Sequence, residues 1–118
     1  MAITTESLNP STSGWIINAT SADLSGAEII LAAPASGHLY LHRADIFCVS
    51  AINVTIGSGE DSSAVETPII GPVTFTASSA HYSVEFDPPL KVDATTALTC
   101  DASGSGQTCI VVQGHTEL

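Results

Sequence analysis

The stretch His38-Leu-Tyr-Leu-His-Arg-Ala-Asp-Ile-Phe-Cys-Val-Ser50 decides the fold class of this chain. Its first half alternates, with Leu39 and Leu41 on one face and polar or aromatic residues on the other, which is the two-residue period of a half-buried β-strand. Its second half, residues 46–49, is continuously apolar. We therefore predict a long strand or a pair of strands here, with the second half covered on both faces.

Similar short patterns, separated by turn signals, continue on both sides of this stretch. They cover residues 15–20, 27–32, 52–56, 73–77, 82–86, 96–100 and 108–113. Pro88 and Pro89 cannot donate to a strand ladder, so they predict a sheet edge or a corner. About eight short strands, with no amphipathic helix of three turns, predict an all-β fold. We expect a single antiparallel β-sandwich of jelly-roll type over residues 14–118, with a small barrel as the alternative.

The N-terminal residues 1–13 are mostly polar. We interpret them as an extended arm outside the core, either a loose terminus or an arm that docks on a neighbouring subunit. They lack the positive and apolar regions of a secretory signal. No apolar run in the chain approaches the length of a membrane span. We expect a protein made in a cytoplasm without a signal peptide and without a membrane partner.

The charge balance excludes several classes of partner. The 118 residues include 2 Lys+Arg against 12 Asp+Glu, a formal net charge of -10. The two cations, Arg43 and Lys91, cannot neutralise a row of phosphates, so we expect neither nucleic acid nor an anionic membrane as a partner. The hydrophobic content of 44% is too high for a disordered acidic tail. Most carboxylates fall in predicted loops and turns, which indicates an exposed acidic rim.

The three cysteines fall into two groups. Cys48 lies in the apolar half of the central stretch and is expected to be an unreactive core residue. Cys100 and Cys109 flank the Gly/Ser-rich segment 101–107, which we predict to be a hairpin tip. Such a hairpin would place the two thiols opposite each other. They would then form either a disulfide or two free thiols, the default in a reducing cytosol.

No motif predicts catalysis, a metal or a cofactor. The cysteine and histidine spacings of zinc sites are absent. His38 and His42 would share one strand face about 13 Å apart, too far to chelate one ion from a single strand. The chain has no Gly-x-Ser-x-Gly elbow, and no Lys follows the glycine-rich loops at Gly57 and Gly104 as in a phosphate-binding loop. We therefore predict that the protein is not an enzyme.

Punctuation motifs follow one another across residues 27–114. They are an Ala-Pro-x-x-Gly turn at 33–37, a strand at 39–43, a strand end at 52–59, a Gly-Pro strand start at 70–75, a proline corner at 84–90, and the segments 96–99 and 110–114. This order resembles the small capsid decoration (cement) proteins of tailed bacteriophages. The chain departs from that pattern at 93–98, which lacks a glycine, and at Cys109, where a small residue is usual. These departures leave the geometry of the last hairpin open.

The resemblance implies a β-sandwich subunit, commonly a homotrimer, on the exterior of a virion, bound to the major capsid protein. It implies no catalytic residue. As contacts with the capsid or between subunits we expect Trp15, Ile16, Ile17, Arg43 and Lys91. Trp15 is otherwise an ordinary core aromatic. The alternative function is a tail-fibre or receptor-binding tip that contacts a host-surface glycan or protein.

Overall fold

The structure is a computed structural model that describes residues 4–7, 14–59, 67–76, 81–93 and 95–117. Within these ranges the chain forms seven strands: β1 (Thr4–Ser7), β2 (Gly14–Leu31), β3 (His38–Cys48), β4 (Asn53–Gly59), β5 (Thr67–Thr74), β6 (His81–Lys91) and β7 (Ala97–Glu117). Every pairing among them is antiparallel. The described residues contain no helix, and the all-β prediction is confirmed.

Strands β2 and β7 pair with each other in both sheets, because one half of each strand lies in each layer of the sandwich. Residues 14–21 of β2 pair with residues 108–115 of β7, and residues 26–31 pair with 98–102. Between these two ladders the register shifts twice, around Leu24. Such irregularities bend a strand and increase its twist, which lets the paired ribbon turn from one sheet into the other.

The two halves of β2 and β7 divide the described strands into two sheets. The five-stranded sheet has the order β1, first half of β2, second half of β7, β3, β6. The four-stranded sheet has the order second half of β2, first half of β7, β4, β5. If the eight segments after β1 are lettered B to I in chain order, the sheets read B-I-D-G and C-H-E-F. This is the strand order of a jelly roll, and the predicted fold class is confirmed.

A single hydrophobic core lies between the two sheets. On β3 the buried positions are Leu39 and Leu41, then Ala44, Ile46 and Cys48. The buried residues change from odd to even positions after Leu41. At the same place, between Leu41 and Arg43, the register of β3 shifts against both neighbouring strands. A bulge therefore keeps both halves of β3 facing the core.

The second half of β3 is not covered on both faces, so that prediction is wrong. Ile46 and Cys48 are buried, whereas Phe47 is 43% exposed and Val49 is 57% exposed. The strand continues to alternate, with every second residue outside the sandwich. Apolar side chains at outward positions gave the sequence its continuous appearance.

The predicted C-terminal hairpin is wrong, because residues 97–117 form one continuous strand. The Gly/Ser-rich segment is the corner between the two sheets and not a turn that reverses the chain. A Cβ at Gly106 would lie 2.7 Å from the Cβ of Ser50, so glycine allows the close approach of backbone at this corner. Gly57 and Gly59, predicted to lie in a solvated loop, end the strand β4 and are buried.

Of the two alternatives for Cys100 and Cys109, the disulfide is wrong for the same reason. Cys100 pairs with Ile56 in the four-stranded sheet, whereas Cys109 pairs with Phe47 in the other. Nine residues of extended chain separate their α-carbons by far more than the roughly 7 Å that a disulfide allows. Both thiols are free, as is Cys48, which is buried as predicted. Burial raises the pKa of Cys100 to about 12.

Other boundaries differ in detail. The two strands predicted before residue 32 are one strand, β2, and β5 begins at Thr67. Pro88 and Pro89 lie in β6, an edge strand, as predicted. Of the predicted arm, only residues 4–7 are described, and their backbone pairs with residues 17–20 of β2. The remaining arm residues and Ala77 lie outside the described residues.

We expect Gly114→Ala to destabilise the fold by at least about 2 kcal/mol, because a Cβ there would clash with the Tyr40 carbonyl oxygen and the Trp15 ring. Urea unfolding of the purified chain measures the loss. The matched control is Gly104→Ala, whose Cβ would meet Ile52 at an ordinary 3.4 Å. Equal stability of the two variants would contradict the close packing of Trp15 over β7.

Candidate functional site on the outer face of the five-stranded sheet

The chemically active side chains of the described residues gather on one surface, the outer face of the five-stranded sheet. All four histidines of the chain lie there, and we call this surface the histidine face: His38 and His42 from β3, His81 from β6 and His115 from β7. They occupy positions that alternate with buried core residues. The predicted common face for His38 and His42 is confirmed.

Arg43 forms the centre of the histidine face. Its Nε and a terminal nitrogen donate to the two carboxylate oxygens of Asp45 at 3.0 and 3.2 Å. It also pairs with Glu85 and donates to the hydroxyl of Ser83 at 3.0 Å. The guanidinium of one of the two basic residues is thus held by partners within the chain.

Asp45 is held from two sides. Besides Arg43, it contacts His81, whose Nε2 lies 3.2 Å from the carboxylate. The hydrogen bonds from Arg43, with smaller contributions from Ser83 and His81, lower the pKa of Asp45 to about 2 against the opposing effect of burial. The carboxylate therefore stays charged over a wide pH range, and it orients Arg43 and His81 together.

A second cluster lies next to Arg43, towards the start of β3. Nε2 of His42 and Nδ1 of His115 are 2.6 Å apart, and the two rings meet edge to face. The ring of Tyr40 stacks on His115 with centroids 4.9 Å apart and planes within 4°. On the far side of His115, Nε2 lies 3.5 Å from the carboxylate of Glu117. His115 is thus contacted by three side chains at once.

Exposed apolar side chains lie on the outer face where β3 ends, and we call Phe47 and Val49 the apolar corner. Phe47 pairs with His81 across the strands, and their rings stack with centroids 4.6 Å apart. Tyr82 is also 38% exposed, but it lies opposite the buried Ile46 and therefore projects from the other face of the sheet. A cluster of exposed large apolar residues is typical of a contact surface.

The structure separates the five predicted contact residues. Trp15 and Ile17 are buried, at 7% and 6% exposure. Both Trp15 and Ile17 therefore belong to the hydrophobic core of their own subunit. The ring N–H of Trp15 donates to the Thr116 hydroxyl at 3.2 Å. Ile16 points away from the core and is half-buried, and Lys91 is exposed at the end of β6. Arg43 is engaged as described above.

Sequence reasoning missed the pairing of His42 with His115. The prediction considered histidines within one strand, because the sequence does not show that β7 lies beside β3. The signal was present, because Ile110 and Val112 alternate with the polar residues Gln113 and His115 in a strand pattern. What the sequence could not supply was the neighbour relationship between strands that lie 73 positions apart.

No group of three or more His, Cys, Asp or Glu side chains in the described residues is arranged to hold a metal ion. No helix long and apolar enough to cross a membrane occurs in the part of the chain that the structure describes. No protein family, no curated protein and no solved structure matches the chain.

We expect Asp45→Asn to lower the free energy of unfolding at pH 7 by about 1 kcal/mol, since Arg43 is partly exposed and solvent weakens the ion pair. The folded pKa of Asp45 lies below its ordinary value, so its contribution is fully present above about pH 4 and is lost as the pH falls towards 2. Urea unfolding at pH 7 and at pH 3 measures both effects.

The control for this substitution is Asp87→Asn, which removes the same charge from an exposed position on β6. We expect the Asp45 variant to lose stability at pH 7 and to show a smaller loss on acidification than the wild type. Identical pH profiles for the wild type and Asp45→Asn would contradict the network.

Proposed function

We propose that this chain is a structural virion protein that decorates the capsid of a tailed bacteriophage, bound as a homotrimer to the major capsid protein on the outer shell. The observation that carries the proposal is the jelly-roll strand order, an architecture found in viral capsid domains and also in lectins. A fold alone does not define a function, so this support is an analogy.

The positions of the punctuation motifs add to that support. Gly37, at the end of the Ala-Pro-x-x-Gly turn, has a φ of 82°, and Gly71, in the Gly-Pro motif, has a φ of 95°. Both are left-handed conformations that favour glycine. The glycines of two motifs on which the resemblance rests therefore stand where the backbone favours glycine, although Gly71 lies within β5 and not at the predicted strand start.

The charge distribution suits an exterior position. Carboxylates such as Glu85, Asp87, Asp93 and Glu117 are exposed, and the chain as a whole carries a net charge of -10. A strongly acidic exterior keeps particles apart by mutual repulsion. Because Arg43 is engaged within the subunit, contacts with the shell would be apolar, backbone-mediated or made with basic groups of the shell.

The apolar corner is the surface that we assign to the contact between subunits. Like-charged subunits repel each other, so they associate best where carboxylates are few. Phe47 and Val49 bring two large uncharged side chains to one exposed place. Trp15 and Ile17, by contrast, are used inside the subunit.

Electron microscopy of purified particles that contain this protein tests the function. We expect many copies at repeated positions over the outer shell, because decoration follows the symmetry of the capsid. A few copies confined to the tail would contradict decoration and support the receptor-binding tip. The stacked and exposed Phe47 ring is the observation that favours this alternative, since aromatic faces bind sugars.

Light scattering of the recombinant protein tests the trimer. We expect a mass of about 36 kDa, three times that of the 12.0 kDa chain. Val49→Asp should shift the mass towards the monomer, because it places a charge in the apolar corner. The control, Asn53→Asp, adds the same charge at an exposed position of β4 and should leave the mass unchanged. A monomeric wild type would contradict the trimer.

A further inference from the structure

His42 of β3 and His115 of β7 bring two ring nitrogens within 2.6 Å of each other, at the distance of a hydrogen bond. We propose that His42 and His115 together bind one divalent transition-metal ion of the zinc, nickel or copper class on the histidine face. Neutral imidazole nitrogens are ligands that suit these ions. This site does not depend on the proposed role in a capsid.

The distance between the two nitrogens fits a shared ion. Nε2 of His42 and Nδ1 of His115 face each other at 2.6 Å. An ion bound to both at about 2.1 Å requires a nitrogen–nitrogen separation of roughly 3.0–3.4 Å, from square-planar to tetrahedral geometry. Because both side chains are only half-buried, a small rotation of the rings opens the pair to that separation without moving the strands.

The surroundings of His115 are those of a metal-binding histidine. Its Nδ1 points to His42, while its Nε2 lies 3.5 Å from the carboxylate of Glu117. Metal-bound histidines usually donate their second ring N–H to a carboxylate or a carbonyl, which sets the tautomer and orients the ring. The stacked ring of Tyr40 holds the plane of His115 from the side.

The backbone explains how His42 reaches its partner. Leu41 lies opposite Gly114 and Arg43 lies opposite Gln113, so His42 is the extra residue of the bulge in β3. A bulge redirects a side chain, and bulges are frequent beside functional sites. Both strands are anchored close by through Leu41 and Gly114, which are buried.

Two imidazoles leave the remaining coordination positions to water or to an incoming ligand. A pair of this kind therefore differs from a closed structural site with four protein ligands. The acidic chain attracts divalent cations to its surface, which favours their arrival at this site. His38 does not join the pair, because its Nδ1 lies 2.7 Å from the carbonyl oxygen of Val92.

Calorimetric titration of the untagged full chain with zinc chloride tests the site. The titration uses a Cys109→Ser background, because the half-buried Cys109 thiol is a competing ligand. We expect one ion per chain, with affinity at least about tenfold lower in His42→Asn and in His115→Asn. The matched control, His81→Asn, removes a histidine from the other end of the same face and should bind as the parent does.

Two results would overturn the proposal: no zinc binding by the parent chain, or binding that both His42→Asn and His115→Asn retain in full. Circular dichroism checks that each variant is folded. Electron paramagnetic resonance of the copper(II) complex needs no variant at His42 or His115. We expect coupling to two imidazole nitrogens, and a spectrum without imidazole nitrogen would overturn the site even if both variants failed to fold.

Discussion

The pairing of β2 with β7 is the constraint on which the rest of the structure depends. Each of these strands belongs to both sheets, so their shared ladder joins the two layers through main-chain hydrogen bonds. Main-chain donors and acceptors must be satisfied wherever they are buried, and the two ladders do this on either side of the corner. The corner needs residues without bulk, which Gly106 supplies beside Ser50.

The bulge in β3 is the second constraint, and it connects the core with the surface. By changing the parity between Leu41 and Ala44 it keeps apolar residues inside along the whole strand. The same bulge brings His42 and Arg43 to the outer face one after the other. His42 then meets His115, and Arg43 meets Asp45 and Glu85. One irregularity thus supports the packing of the core and both clusters of the histidine face.

The outer face is divided by chemistry along β3. Towards the start of β3, the imidazole and phenol rings of Tyr40, His42 and His115 contact one another. In the middle, the ion pairs of Arg43 neutralise one of the few positive charges in a strongly acidic chain. At the other end, the apolar corner exposes side chains with no charge. The proposed metal site, the ion pairs of Arg43 and the apolar corner therefore occupy separate parts of the same sheet.

The sequence by itself determined the all-β class, the sandwich and most strand positions, because these follow from alternation and turn residues. The prediction that most carboxylates lie in loops and turns is wrong for the described residues, since acids such as Asp45, Glu85 and Asp101 lie within strands. It also predicted that Cys48 is a core residue and that Pro88 and Pro89 lie at a sheet edge. It failed at 101–107, where a glycine-rich segment resembles a turn but forms a corner. Local patterns cannot distinguish the two, because the distinction depends on whether a distant strand is available to pair.

Only the tertiary structure decided which residues meet. The separation of Cys100 from Cys109, the burial of Trp15 and the contact between His42 and His115 all follow from strands brought together across the chain. The exposure of Phe47 was decided in the same way, by which face of β3 the opposite sheet covers. The physical reason is that a strand pattern specifies two faces, whereas neighbours and cover are set by the packing of the whole molecule.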